Sequence, residues 1–273
     1  MQEKLETRLA EVADSFSGRV GYAIRNLSTS AELMRNADDS FPTASAIKLP
    51  LLTALHAFVD EGNASWDDTV TVTKEAVPGG SGVLQHLDFP RTVSLRDAAW
   101  LMICLSDNLA TNIVLDTMGL DTANRLLREV IGPGFEVKKH FGFDPDAPVP
   151  GQSLARSSPR ALLDYLDALA ADRVPGSAET LAVAGSQFYR TSIPRHLPYE
   201  TYSPAGLRVY NKTGGLPGIH TDIALLSAGD VSVAMAIMTD ESSDLSFRID
   251  NEGQRCIASL ALHVYRAWMD DAP

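Results

Sequence analysis

The sequence predicts an α+β protein, in which strands from both ends of the chain form one antiparallel sheet flanked by helices, with an all-helical lobe between them. Apolar residues alternate over residues 20–24, as in a strand. Further strand patterns lie within residues 207–238, whereas helical spacing prevails between these two regions. Strands at both ends with helices between them favour a single sheet that is shared by the terminal segments.

The first elements are a helix, two strands and a longer helix. Apolar residues at helical spacing predict an amphipathic helix over residues 2–16. After the strand at 20–24, Leu33-Met34 begins a returning strand. Residues 45–59 predict a long helix with Pro50 in its first turns, where a missing N–H costs little.

The middle of the chain is predicted to be helical, with one irregular stretch. Three helices are expected over 94–103, 109–117 and 122–130. Residues 132–157 are rich in glycine and proline and have little periodicity, and an ordered loop of that length usually has a function. Ser158-Pro159 then begins a helix that runs to about residue 171, because proline is favoured at the first helical position.

The last part of the chain returns to strands. These are expected at 207–210, 219–226 and 231–238, with a hairpin turn at Gly229-Asp230, and a closing helix covers 254–268.

The predicted lobes are an α/β lobe of residues 1–42 and 204–273 and a helical lobe of residues 43–203, which pack together as a single domain.

Composition excludes several classes of partner. The net charge of −12 argues against nucleic acid, because phosphate binding needs a basic face. No apolar run is long enough for a membrane span, and the N-terminus lacks the pattern of a secretory signal. We therefore expect a cytoplasmic protein with a small-molecule or peptide substrate, no nucleic-acid or membrane partner, and no cofactor or metal. A secreted protein trimmed of its signal would look the same, and the oligomeric state is left open.

Three short motifs carry residue types that can perform chemistry. In Ser45-Ala46-Ile47-Lys48 the two polar side chains share one helix face, so that the amine can take the hydroxyl proton. We expect the Lys48 amine to lie within hydrogen-bond reach of the Ser45 hydroxyl. Alone, this motif is more often a capping serine beside a solvated lysine.

The second motif, Ser106-Asp107-Asn108, interrupts a helical pattern and exposes a hydroxyl and an amide together. The third, Lys212-Thr213-Gly214-Gly215, closes a predicted strand, and its ammonium and hydroxyl can hold a carboxylate. Each also has an ordinary interpretation, as a helix-breaking loop and as a strand-end turn.

Together and in this order, the motifs resemble the Ser-x-x-Lys, Ser-Asp-Asn and Lys-Thr-Gly set of class A β-lactamases and penicillin-binding proteins. The resemblance extends over nearly the whole chain and includes Phe41-Pro42, Gly82-Val83-Leu84 and Ser157-Ser158-Pro159. It implies the β-lactamase type of α+β fold and a serine hydrolase that acts through an acyl-enzyme.

The resemblance also implies catalytic roles. Ser45 would attack the substrate carbonyl, and Lys48, with a lowered pKa, would accept its proton. Ser106 would relay that proton to the leaving group. Lys212 would supply a second positive charge, which could lower the pKa of Lys48. The oxyanion would be held by the backbone N–H groups of Ser45 and Gly215.

Three further side chains would bind substrate. Asn108 would hold the substrate's side-chain amide, and Thr213 would bind its carboxylate together with Lys212. The cationic residue usual in the family after Lys-Thr-Gly falls on His220 or is lost to Thr221. His220 is thus either a structural residue or a carboxylate ligand whose ordinary pKa near 6.5 would make affinity depend on pH.

The chain departs from class A β-lactamases in the irregular loop. The glutamate that activates the deacylating water falls on Gly142, and its asparagine partner falls on Asp146. Asp144 could reach the water position only after a shift of two residues. Loss of a general base typically slows the step it serves by about 10²–10⁴-fold, so deacylation is expected to be slow.

Three functions therefore remain open. The first is a serine hydrolase or acyltransferase acting on an amide or ester. The second is a true β-lactamase with an unrecognised base. The third is a non-enzymatic penicillin-binding type of protein that is trapped as the acyl-enzyme.

Overall fold

A computed structural model describes residues 2–142, 154–199 and 206–270. Within these residues the α-helices, α1 to α8 in chain order, are Gln2–Asp14, Lys48–Asp60, Leu95–Cys104, Asn108–Met118, Leu120–Leu126, Pro159–Ala170, Ser177–Gly185 and Glu252–Trp268. The strands, β1 to β10, are Arg19–Asn26, Glu32–Arg35, Phe41–Pro42, Thr69–Val72, Arg91–Ser94, Glu136–Val137, Ala155–Ser157, Arg208–Leu216, Ile219–Ala228 and Val231–Asp240. In the part of the chain so described, no helix combines the length and apolar character needed to cross a membrane.

The main sheet joins the two ends of the chain, as predicted. Its strand order is β2-β1-β10-β9-β8, and every neighbouring pair is antiparallel. Val20 pairs with Thr239 and Ile24 with Met235, so the first and last strands lie side by side. The predicted α+β fold class is confirmed.

Alternation along β10 separates two apolar cores, one on each face of the sheet. Val233, Met235 and Ile237 pack with α1 and α8 on one face. Ala234 and Ala236 point to the other face and join the core of the helical lobe. Their small side chains allow the sheet to pack closely against that core. The sheet therefore separates the two cores, and one of its faces packs against the helical lobe. These contacts do not test the boundaries predicted for the two lobes. The predicted lobe boundaries stay a prediction.

Several predicted helix starts are confirmed by capping contacts. Ser94 caps α3 by accepting a hydrogen bond from the backbone N–H of Asp97, and Ser158 caps α6 by accepting one from Ala161. Pro159 then occupies the first turn of α6. Such contacts satisfy N–H groups that have no partner within the helix.

The structure differs from the prediction in five places. The lobe expected to be all-helical also contains the β4–β5 pair, and β6 and β7 lie in the stretch expected to be irregular. The helix predicted to begin at Ser45 begins at Lys48, after a 3₁₀ turn at Ala44–Ile47. Helix α7 had no predicted counterpart. Strand β8 runs on to Leu216, so the third motif lies inside a strand rather than in a turn at its end.

Candidate active site

Ser45 lies on the 3₁₀ turn at Ala44–Ile47, which leads directly into α2. The preceding residue, Ala44, has φ of +45°, a left-handed conformation that costs a non-glycine residue of order 1–3 kcal/mol. Ser45 is only partly buried, although Ala44 and Ala46 on either side are buried. Strained backbone of this kind is concentrated at functional sites, and here it presents a single hydroxyl at the surface of a cavity.

Strand β8 packs directly against this turn, and it can do so because residue 214 is glycine. A Cβ atom on Gly214 would lie 2.5 Å from the carbonyl oxygen of Thr43 and 2.8 Å from the backbone nitrogen of Ser45. Both distances are shorter than any ordinary contact, so no other residue fits without displacing backbone. The approach brings the backbone of β8 at Gly214 beside the N–H of Ser45.

The second motif forms the loop between α3 and α4. Ser106 has φ of +52°, and Asp107 caps α4 through a hydrogen bond from the N–H of Ala110. The other carboxylate oxygen of Asp107 accepts from the backbone N–H of Leu84, which fixes the loop that precedes the motif. Asp107 is thus a structural residue, and it holds Ser106 and Asn108 in place on either side of it.

Lys48 is fully buried, and its amine is held by the second motif. Its Nζ donates to the carbonyl oxygen of Ser106 at 2.7 Å, to Ser106 Oγ at 3.4 Å and to Asn108 Oδ1 at 2.9 Å. The amine also lies 4.5 Å from the ring centroid of Phe141. An ammonium has three donors and can serve all three acceptors, whereas a neutral amine has two and serves the two shorter contacts. The prediction that Lys48 contacts the Ser45 hydroxyl is wrong for this state of the site, because the acceptors of the second motif take the amine instead.

Electrostatics favour the neutral form of this amine. Burial lowers the pKa of Lys48 well below its usual value, and the positive charge of Lys212 lowers it further, against a smaller opposing effect from Asp107. A neutral amine has a lone pair that can accept a proton. Lys48 therefore has the electrostatic character of a general base.

Lys212 approaches Ser106 from β8 on the opposite side. Its Nζ donates to Ser106 Oγ at 3.1 Å and to the carbonyl oxygen of Thr213 at 2.8 Å. When Lys48 is protonated, the Ser106 oxygen accepts from both Lys212 and Lys48, which uses both of its lone pairs. Its own O–H remains to donate, so the Ser106 hydroxyl is arranged as a proton donor to a group in the cavity.

Burial lowers the pKa of Lys212 to about 7, although the nearby carboxyl of Asp222 acts to raise it. Burial raises the pKa of Asp222 to about 7. This carboxyl accepts from Asn211 Nδ2 at 3.0 Å and from the N–H of Ile193 at 2.9 Å, and Arg190 donates to Asn211 Oδ1 at 2.8 Å. A buried polar network therefore supports the strand that carries Lys212.

Sequence reasoning missed this network, although a signal was present. Asp222 lies in the middle of the apolar strand β9, where it pairs with Thr213. A carboxylate within an otherwise buried strand is rarely tolerated unless it is paired or functional.

His220 lies in β9 opposite Gly215 and is buried. Its Nε2 has no hydrogen-bond partner, and burial lowers its pKa to about 4 despite the opposing charge of Asp244. A pKa lowered in this way favours the neutral imidazole at pH 7, and so favours the structural alternative for His220 over that of a charged carboxylate ligand. His220 borders the cavity as a neutral ring rather than as a cation.

Two cavities meet at Ser45. We call the first, of about 440 Å³, the hydroxyl-lined cavity; it is lined by Ser45, Ser81, Ser106, Tyr189, Thr191, Ser192, Thr213, Gly214, Gly215, His220, Phe247, Ile249 and Gln254. We call the second, of about 510 Å³, the apolar cavity; it is lined by Ala44, Ser45, Gly80, Ser81, Asn108, Phe141, Gly142, Leu154, Gly215, Leu216, Pro217 and Phe247. Both volumes are typical of small-molecule sites. Six of the eight predicted site residues line one or both cavities. The other two, Lys48 and Lys212, donate directly to the hydroxyl of Ser106, which lines the first cavity.

The residue expected to face a deacylating water is Gly142. Gly142 borders the apolar cavity, and a Cβ atom there would lie 3.5 Å from the carbonyl oxygen of Pro78, an ordinary contact. Gly142 has no side chain to accept a proton. The two alternative bases, Asp144 and Asp146, lie outside the described residues.

Comparison with known proteins agrees with this geometry. A model of the "Beta-lactamase enzyme family" matches residues 4–268. Beta-lactamase 3 of Bacillus cereus is 25% identical over 238 residues, which cover 82% of this chain and 70% of the relative. The beta-lactamase of Bacillus licheniformis is 24% identical over 262 residues, which cover 90% of this chain and 80% of that relative. The crystal structure of a beta-lactamase from Sphaerobacter thermophilus has a TM-score of 0.86 at 25% identity, covering 98% of this chain and 97% of that one. These matches extend over the sheet, the helical lobe and all three motifs, and this chain belongs to the beta-lactamase enzyme family.

Proposed function

We propose that the protein is a serine hydrolase that forms an acyl-enzyme on Ser45 with an amide, ester or β-lactam substrate, and that this acyl-enzyme is hydrolysed slowly. The observation that carries the proposal is the position of the Ser106 hydroxyl. It lies 3.4 Å from Lys48 Nζ and 3.1 Å from Lys212 Nζ, in the same cavity as Ser45. Two buried amines that converge on one hydroxyl, in the cavity that Ser45 lines, form a path for a proton from nucleophile to leaving group.

Acylation begins when Ser45 Oγ attacks the substrate carbonyl carbon. Lys48, whose pKa burial lowers toward the neutral amine, takes the proton from the attacking hydroxyl. A neutral amine donates only two hydrogen bonds, to the carbonyl oxygen of Ser106 and to Asn108 Oδ1, so its lone pair is left to accept the Ser45 proton. The contact to Ser106 Oγ at 3.4 Å is kept for the later transfer of that proton to Ser106. The carbonyl oxygen becomes negatively charged, and the N–H groups of Ser45 and Gly215 stabilise it.

The tetrahedral intermediate then collapses as the bond to the leaving nitrogen or oxygen breaks. Ser106 donates its proton to that atom, and the ammonium of Lys48 replaces the proton on Ser106. Lys212 and Thr213 hold a carboxylate on the leaving-group side, since both line or support the hydroxyl-lined cavity. The products of this half-reaction are the Ser45 ester and the protonated leaving group.

Hydrolysis of the Ser45 ester needs a base to activate water. Gly142 supplies none, so the acyl-enzyme accumulates. The expected kinetics are a burst of leaving group followed by a slow steady state.

The experiment follows a panel of chromogenic esters, a cephalosporin and a fluorescent penicillin over time on one preparation, with Ser45→Ala as the control. A Ser45-dependent burst and slow turnover support the proposal. Fast cephalosporin turnover would instead identify a β-lactamase with an unrecognised base. Persistent labelling without any turnover would identify a binding protein, and identical behaviour of the Ser45→Ala variant would refute the role of Ser45.

The cytoplasmic location also remains a proposal. Cell fractionation in the source organism would test it.

A further inference from the structure

The loop that joins β10 to α8 exposes three large apolar side chains next to the active site. Leu245, Phe247 and Ile249 are 62%, 66% and 73% exposed. They occupy alternate positions, and exposed apolar side chains that are grouped in this way are uncommon on a protein surface unless something binds there. We call residues 244–250 the apolar loop.

Hydrogen bonds hold the apolar loop in this shape. The Asp244 carboxylate accepts from the N–H groups of Ser246 and Glu252, each at 3.0 Å. The buried Asn251 side chain donates to the carbonyl oxygens of Asp244 and Ser246, at 3.3 and 2.8 Å. These hydrogen bonds fix the backbone of the loop, while Leu245, Phe247 and Ile249 face solvent, the reverse of an ordinary surface loop.

The apolar loop continues the wall of the apolar cavity. Phe247 lines both cavities, at the junction where Ser45 lies. Leu245 packs beside Gly218, where a Cβ atom would lie 3.1 Å from Leu245 Cδ2. Gly218 directly follows Pro217, which lines the apolar cavity. A continuous apolar surface thus runs from Ser45 through the apolar cavity and over Phe247 to Leu245.

The position of Ser106 assigns the two cavities to the two parts of a substrate. Ser106, the proton donor to the leaving group, lines the hydroxyl-lined cavity and not the apolar one. Ser45 and Gly215 line both, so the reacting carbonyl lies at the junction. The leaving group then occupies the hydroxyl-lined cavity, and the acyl part of the substrate extends into the apolar cavity.

We infer that the substrate of Ser45 carries an extended apolar acyl chain, which fills the apolar cavity and crosses Phe247 to reach Leu245. This inference rests on the proposed acyl-enzyme on Ser45 and names its substrate class. The reaction itself is unchanged: the chain is transferred to Ser45 and released by water as the free acid.

The test measures kcat/KM for p-nitrophenyl acetate, butyrate and octanoate, with the rate of Ser45→Ala subtracted. Each methylene that becomes buried can raise kcat/KM by up to about fourfold, so we expect octanoate to exceed acetate by at least about tenfold. Phe247→Ser and Leu245→Ser should each lower this octanoate-to-acetate ratio, the former by about tenfold. Phe188→Ser is the matched control, because Phe188 is 74% exposed and lines neither cavity.

The outcomes separate this inference from the proposed function. If no ester is hydrolysed in a Ser45-dependent manner, the proposed function fails and the inference fails with it. If hydrolysis depends on Ser45 but the ratio is flat, or is unchanged in Phe247→Ser, only the inference is overturned. A flat ratio together with a dimer that Phe247→Ser dissociates in sedimentation would assign the apolar loop to contact between two copies of the chain.

Discussion

Replacing Gly214 with alanine tests the close approach of β8 to Ser45. The added Cβ would lie 2.5 Å from Thr43 O and 2.8 Å from Ser45 N, whereas ordinary contact begins at 3.4 Å, so one backbone must move by about 0.9 Å. A displacement of about 1 Å between reacting groups can cost about a hundredfold in rate. We expect Gly214→Ala to acylate with penicillin or p-nitrophenyl esters about a hundredfold more slowly.

The neighbouring glycine offers a matched control. A Cβ atom on Gly215 would first meet the His220 ring, at 3.4 Å, and alanine keeps the N–H that is assigned to oxyanion binding. Neither glycine has positive φ, so backbone conformation does not distinguish the two variants. We expect Gly215→Ala to acylate within a few-fold of the unaltered protein.

The assay is the burst rate with a chromogenic ester, with thermal unfolding of each variant measured in parallel because overpacking costs about 1–3 kcal/mol. If Gly214→Ala is folded and acylates at the unaltered rate, the approach of β8 does not set the reactive geometry. Equal loss in both variants would also refute the reasoning.

Four further predictions concern proton transfer. Lys48→Met should slow acylation by at least about a hundredfold, since the base is lost; an unchanged burst rate would remove Lys48 from the mechanism. Ser106→Ala should slow acylation more with amide than with p-nitrophenyl ester substrates, because p-nitrophenolate leaves without protonation; equal loss with both would argue against a proton donor. Because the pKa of Lys212 is about 7, KM for a substrate with a carboxylate should rise as pH increases through 7, whereas KM for a neutral ester should not. The variant Asp222→Asn should move this rise to lower pH, because it removes the charge that raises the pKa of Lys212. Gly142→Glu should increase steady-state turnover without changing the burst rate, and no increase would mean that the new carboxylate does not face the water.

Most of the sheet could be predicted because its strands carry simple patterns. Alternation at 20–24 and the long apolar runs after 219 predict β1, β9 and β10, and capping residues such as Ser94 predict the starts of helices. The β4–β5 pair could also have been predicted, since Thr69-Val70-Thr71-Val72 alternates.

Helix α7 was harder to predict from the sequence than the strands of the main sheet. It begins after Gly176 without a side-chain cap, and its small residues give little contrast between faces. Its position is set by packing against the core of the helical lobe, which Val183 and Ala184 join.

The sequence predicts which residues form the site, but it does not predict which of them contact one another. The three motifs identify Ser45, Ser106 and Lys212 from local sequence. Local spacing also suggested that Lys48 contacts Ser45, yet its partners are at positions 106 and 108. Such a contact depends on how two helices pack, which no local pattern encodes. The pKa values of His220 and Asp222 likewise follow from burial, and burial is a property of the fold.

The most direct test of the central claim is a time course of intact mass after mixing with penicillin, followed by digestion to locate the adduct. We predict an adduct of the penicillin mass on the peptide that contains Ser45, formed rapidly, decaying slowly, and absent in Ser45→Ala. The position expected to serve the deacylating water is Gly142, which borders the apolar cavity and has no proton acceptor, so we expect the adduct to outlast many acylation half-times. An adduct on another residue, or rapid loss of penicillin with no adduct at any time, would contradict the account.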